Sequence, residues 1–129
     1  MQFDNSPQAI YLQIVDYVCE KLLLKQWTIE DKIPSVREMA VKMEVNPNTV
    51  ARAYDFLKQQ SIIYDKRGIG YFISPEGLNN TISYRKQEFA EKELPGIFRT
   101  MYLLDVELDD LKTEFEKFKE LYAKNQKLF

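Results

Sequence analysis

The chain has no histidine and only one cysteine, Cys19, among its 129 residues. Without imidazole, His-based general-base catalysis and Ser-His-Asp triads lack a necessary member, and a single thiol leaves the usual zinc ligand sets incomplete. Nor can one cysteine close an internal disulfide. Cys19 is expected as a buried or half-buried helix residue, with redox sensing the lesser alternative. No positively charged, apolar, cleavable leader opens the sequence, and no apolar run approaches the roughly 20 residues that cross a bilayer. The expectation is a soluble, cytoplasmic chain with no membrane partner.

Two short patterns that suggest a bound ion or cofactor are also incomplete. Gly68-Ile69-Gly70 has neither the third glycine nor the Lys-Ser/Thr and following helix of a phosphate cradle. Asp105, Glu107, Asp109 and Asp110 lack the Asx-spaced loop, central glycine and distal glutamate of a calcium site. A helix N-terminus, which favours negative charge, accounts for them better. No catalytic constellation can be assembled, so the expectation is no enzyme, no cofactor and no metal.

Hydrophobic residues make up 45% of the chain and aromatics 13%, enough for one modest core and an appended helical segment. Positive charge is scarce overall, with a net charge of −2, but it is not evenly spread. Residues 1–75 balance nine Lys/Arg against nine Asp/Glu, and residues 76–129 carry nine against eleven. Within 32–73, seven basic residues face Glu38, Glu44, Asp55 and Asp65, a local balance of +3. Phosphate attraction would act there.

Pro7 precedes an apolar stripe at Tyr11, Ile14, Val15, Val18 and Leu22, which predicts an amphipathic helix from about Gln8 to Leu24. The connector 25–33 is anchored by Trp27 and Ile33. Ser35 and Glu38 then form the S-x-x-E capping box, opening a helix with Val36, Met39, Ala40 and Met43 inward. Glu44 and Val45 make a turn, and Asn46-Pro47 restarts a helix with Asn as N-cap and Pro at its first position. Val50, Ala53, Tyr54 and Leu57 face inward, leaving Asn48, Arg52, Asp55 and Gln59 on the opposite side and Thr49 on the flank.

Runs 62–65 and 71–74 read as two strands around a tip, Lys66-Arg67-Gly68-Ile69-Gly70, that needs the positive φ of glycine. The stretch 75–80, with Pro, Gly and two Asn, marks a boundary. A helix is expected over Thr81–Leu104 with Phe89, Leu94, Ile97, Phe98, Met101 and Tyr102 apolar and with Pro95 kinking or splitting it. After a break at 105–107, a last helix from Leu108 to about Lys124 carries a stripe of Leu108, Leu111, Phe115, Phe118 and Tyr122. Phe98, Met101 and Tyr102, together with that stripe, need a partner surface and are the expected dimerisation residues.

Two short helices followed by a hairpin form a winged helix-turn-helix. In that geometry the second helix offers its N-terminal residues to base edges in the major groove, while the first helix and the wing touch the backbone. Asn48 can pair with adenine, and Arg52 can reach guanine or phosphate. Ser35 and Arg37 stand where free N–H groups and a guanidinium converge, and Lys66 and Arg67 lie at the wing tip. Each also has a plain structural reading. Ser35 is a cap, Arg37 can pair with a surface acid, and Asn48 and Thr49 can be ordinary first-turn residues. Arg52 can be solvated or paired with Asp55, and Lys66 and Arg67 can simply guard a sheet edge.

At these residues the chain resembles the GntR family of bacterial transcription regulators, and within it the YtrA-like subgroup. The resemblance runs from Phe3-Asp4 through Ile10-Tyr11-Leu12-Gln13-Ile14 and Pro34-Ser35-Val36-Arg37-Glu38 to Val45-Asn46-Pro47-Asn48-Thr49-Val50-Ala51-Arg52-Ala53-Tyr54, then along the wing to Ser74. Glu93-Leu94-Pro95 and Val106-Glu107-Leu108 match more loosely. The resemblance implies an N-terminal winged helix that binds operator DNA as a homodimer, with DNA contacts at Ser35, Arg37, Asn46, Asn48, Thr49, Arg67 and Gly68. Many relatives carry their key arginine where this chain has Ala51. Ile69 and Tyr71 replace polar wing residues, Ser61 replaces a usual glycine, and Thr28-Ile29-Glu30-Asp31 replaces a Pro-Gly turn. The 54 or so residues after the wing are too few for the family's large effector domains, but suit the two-helix arm of the YtrA-like subgroup, which is often associated with ABC-type transporter genes.

The expected fold is mostly α with a small β-wing. Residues 1–75 form the winged helix-turn-helix DNA-binding domain, and residues 76–129 form a short C-terminal two-helix dimerisation arm. The expected function is sequence-specific transcription regulation, with repression of a pseudo-palindromic operator by a homodimer on double-stranded DNA. The alternative is a winged-helix protein-interaction module without DNA binding, supported by the neutral balance of residues 1–75.

Overall fold

The computed structural model describes residues 9–125. Pro7 and Gln8, at the expected start of the first helix, and Phe3-Asp4 lie outside them. Packing divides the chain into two compact units between Gln87 and Glu88.

In the first unit, α1 (Ile10–Leu23) buries Ile14, Val15, Val18, Cys19 and Leu22, the stripe set by steps of three and four. Helices α2 (Val36–Met43) and α3 (Pro47–Gln59) follow, and α3 packs against both α1 and α2. The inward residues of α3 are Val50, Ala53, Tyr54 and Leu57, as the periodicity predicts. The wing is β1 (Ile63–Lys66) paired antiparallel with β2 (Gly70–Ile73), Ile63 opposite Ile73 and Lys66 opposite Gly70. Gly68 at φ 79° and Gly70 at φ 143° supply the left-handed backbone of its tip.

The connector between α1 and α2 is more than an anchored loop. Asp31 Oδ2 accepts from the Thr28 N–H at 2.8 Å and from its hydroxyl at 3.1 Å, closing the turn that stands in place of Pro-Gly. The chain then lies along β2: Ile73 N–H donates to Asp31 O and Ile33 N–H to Tyr71 O, each at 3.0 Å, with a bridge between Lys32 and Phe72. A third short segment therefore extends the hairpin and seats Ile33 in the core.

The helix after the wing, α4 (Gly77–Glu88), begins four residues before the expected Thr81. The asparagines that suggested a break are helical, and Asn80 Nδ2 donates to Ser61 O at 3.0 Å, making its amide a tertiary tie. Glycine is required at 77 by close approach, since a Cβ there would lie 2.8 Å from both Ile62 O and Ile73 Cγ2. Thr81, fully buried, returns its hydroxyl to Gly77 O at 2.7 Å, and the Tyr84 ring meets Phe56 edge-on at 5.4 Å. The expected division at 75–80 thus marks the end of the wing, while the first compact unit runs on to Gln87.

The second unit opens with a π-helical turn, Phe89–Glu93, in which Leu94 N–H reaches back to Phe89 O. Helix α5 (Leu94–Leu104) follows with Pro95 in its first turn. A proline ring has no N–H to give and would press on the carbonyl four residues earlier, and a widened turn relieves both problems. Asp105, at φ 57°, ends α5, and α6 (Leu108–Lys124) has the bounds the sequence predicts. Glu107 and Asp110 cap α6 reciprocally, with Glu107 N–H donating to Asp110 Oδ2 at 2.9 Å. Among the described residues, no helix is long and apolar enough to cross a membrane.

Candidate nucleic-acid interface

The two helices of the motif start where side chains replace missing backbone partners. Ser35 N–H donates to Glu38 Oε1 at 2.9 Å while Glu38 N–H donates to Ser35 Oγ at 3.1 Å, the reciprocal box expected from S-x-x-E. The Ser35 backbone N–H and, after it, the Ser35 side chain hold the Glu38 carboxyl below its ordinary pKa, with a smaller contribution from the Lys32 charge. At α3, Asn46 Oδ1 accepts from Asn48 N–H at 2.8 Å and Pro47 occupies the first turn. Helix α2 is only eight residues long, so the placement of these groups depends on packing against α3.

Arg37, Asn46, Asn48 and Arg52 are exposed, and Ser35 and Thr49 are half-buried. Asp55 and Gln59 are exposed as well, so α3 turns an uninterrupted polar side outward. Among the described residues, no carboxylate pairs with Arg37 or with Arg52. The structural alternatives of an Arg37 surface pair and an Arg52–Asp55 pair are therefore not realised. Instead, the Arg52 guanidinium lies over the ring of Tyr11 on α1, 4.0 Å from its centroid.

At the wing, Arg67, Gly68 and Ile69 form the exposed tip, and Ile69 N–H closes the turn on Lys66 O at 2.9 Å. Lys66 Nζ sits over the Phe72 ring at 4.7 Å. The hairpin is fixed to α3 by Tyr71, which meets Tyr54 edge-on at 4.9 Å, and by the Lys58–Asp65 ion pair at 3.2 Å. The residues singled out in the sequence thus occupy the start of α2, the N-terminal half of α3 and the wing tip.

The expected dimerisation residues all lie in the second unit, where α5 and α6 bury no residue. Tyr102 is 86% exposed and Leu108 69%. Leu111, Phe115, Phe118 and Tyr122 continue the stripe, the last two stacked at 6.0 Å. Phe98 is half exposed, and Met101 and Tyr122 are partly covered.

Two residues that local spacing does not mark for DNA contact lie against these elements. Tyr11, part of the α1 stripe and of the family-like run Ile10–Ile14, carries Arg52. Lys32 is exposed, and its Cε would lie 2.9 Å from a Cβ at Gly70, so its stem runs along the wing. Neither contact has a signal in local spacing, because the partners are some forty residues apart.

The pattern described as bacterial regulatory proteins of the gntR family matches residues 10–73. The HTH-type transcriptional regulator YhcF of Bacillus subtilis is 34% identical over 119 residues, covering 92% of this chain and 96% of that protein. The HTH-type transcriptional repressor YtrA of the same organism is 36% identical over 107 residues, 83% and 82% of the two chains. A GntR-family regulator from Bacteroides thetaiotaomicron has a similar structure, with a TM-score of 0.72 at 41% identity over 87% of this chain and 97% of that one. The winged helix, the two capped helices and these likenesses converge: the chain belongs to the GntR family of bacterial transcription regulators and carries that family's DNA-binding domain.

Proposed function

We propose that the chain is a homodimeric repressor that reads a pseudo-palindromic operator, with the start of α3 in the major groove and the segment after the wing joining the two subunits. The observation that carries the reading is the outward polar side of α3, where Asn48 and Arg52 stand exposed with no described carboxylate neutralising the arginine. Asn48, Thr49 and Arg52 supply base preference, and Asn46 sets the helix start from which they project. Ser35 and Arg37 at the start of α2, and Lys66, Arg67 and Gly68 on the wing, supply phosphate contacts. The similarity to the repressor YtrA favours repression. The heptad-like stripe of α6 favours pairing, which would set two recognition helices about 34 Å apart along DNA, or a multiple of that.

Selection on random duplex DNA tests this directly, and a two-fold symmetric motif is the expected result. Arg37→Ala should then weaken binding to all duplexes and flatten the salt dependence, whereas Asn48→Ala should relax base preference at one position per half-site. Enrichment of no sequence even at low salt would leave the protein-interaction module standing instead.

A further inference from the structure

We propose that Tyr11 is a positioning residue for DNA recognition, its ring on α1 holding the Arg52 guanidinium of α3 in the orientation that meets a DNA acceptor; this rests on the reading of α3 as the recognition helix. The Arg52 guanidinium lies 4.0 Å from the Tyr11 ring centroid, closer than the lysine contacts at Tyr17, Tyr64, Phe72 and Phe115, which lie between 4.7 and 5.9 Å. The two partners differ in burial in the way a mount requires. Tyr11 is half-buried and packed against the core, so its ring is fixed, while Arg52 is exposed at the surface.

A long arginine loose in water samples many rotamers, and fixing one of them on binding weakens affinity. A ring beneath the guanidinium removes part of that loss beforehand. A guanidinium stacked on a ring at such a distance engages it through its flat face. The N–H donors lie in its plane and stay available to guanine O6 and N7 or to a phosphate oxygen. Asp55, three residues on, does not pair with Arg52, so no described carboxylate draws the cation off the ring.

The test uses the full chain and the duplex most enriched by the wild type from a random library. Tyr11→Leu should weaken binding about three- to tenfold, and Tyr11→Phe, which keeps a ring face, should stay within about twofold of wild type. Arg52→Ala and Tyr11→Leu should relax preference at the same motif position. In the Arg52→Ala background, Tyr11→Leu should cause no further loss. If Tyr11→Leu does not fold, Tyr11→Met fills similar space without a ring and serves the same comparison. Equal losses from Tyr11→Leu with and without Arg52 would show that the ring acts only through packing, and would overturn the proposal while leaving DNA reading intact. If the wild type enriches no duplex, the reading of α3 fails and this inference fails with it.

Discussion

The hydroxyl of Tyr54, in the middle of α3, donates to the carbonyl of Pro34 at 2.6 Å, immediately before the Ser35 cap of α2. Tyr54 is fully buried, and burial, reinforced by Tyr71 and Glu38, drives its phenol well above the ordinary value, so it remains a proton donor throughout the working pH range. The bond ties the middle of α3 to the residue that precedes the cap of α2. The two polar starts are therefore held in register by the core and not by their own short helices.

Removing that hydroxyl should loosen the register. Tyr54→Phe keeps the ring but strands the Pro34 carbonyl, which should cost about 1–2 kcal/mol of stability. Urea unfolding would show a lower midpoint at unchanged slope, and an unshifted midpoint would mean that water replaces the phenol there.

The capping box predicts a pH dependence with a definite sign. Glu38 has its folded pKa lowered from 4.5, chiefly by the hydrogen bonds from Ser35, so it favours the folded state above 4.5 and loses that contribution as pH falls through the folded value. Glu38→Gln keeps a cap acceptor but cannot titrate. The stability difference between wild type and Glu38→Gln should be largest near neutral pH and shrink steadily below about pH 4.5 in paired melting curves. A difference independent of pH would contradict the assignment.

Ser61 adopts φ 57°, a left-handed backbone that suits glycine better than any residue with a Cβ. Its side chain is exposed, and the bond from Asn80 goes to its backbone carbonyl, which glycine retains. Ser61→Gly should therefore raise stability by about 0.5–1 kcal/mol, the relief of strain exceeding the added freedom of the unfolded chain. A lower melting temperature would show that strain at this turn is already relaxed.

The apolar stripe of α6 should be needed for pairing and not for folding of the subunit. Phe115 is 60% exposed, so Phe115→Asp removes little from the subunit's own packing. Sedimentation should show the wild type as a dimer and the variant as a monomer, both with the same helical circular dichroism. A variant that remains dimeric would place the subunit contact elsewhere.

The chemistry that was legible in the sequence is local, with cause and effect within four residues of one another. The Ser35–Glu38 box, the Asn46-Pro47 start, the inward faces of α1, α2 and α3, the glycine-bearing wing tip and the bounds of α6 all belong to this class. They recur in the structure because capping, helical periodicity and left-handed turns are set by near neighbours. The start of α4 was misread for the same reason: Gly77 and Asn80 carry a local break signal, but their partners, Ile62 and Ile73 for the glycine and Ser61 for the asparagine, are distant in the chain. The widened turn before Pro95 was half legible, as a disturbance whose form the residue itself does not specify.

By itself the sequence determined where α1, α2, α3, the wing and α6 form, which faces the first three bury, and which polar residues they leave outside, because these follow from spacing and backbone chemistry. Only the tertiary structure decided that segment 31–33 pairs with β2, that Tyr54 ties α3 to Pro34, and that Arg52 rests on Tyr11. Each of these joins groups 20 or more positions apart, and such pairs meet only after burial of the shared core has brought their elements together.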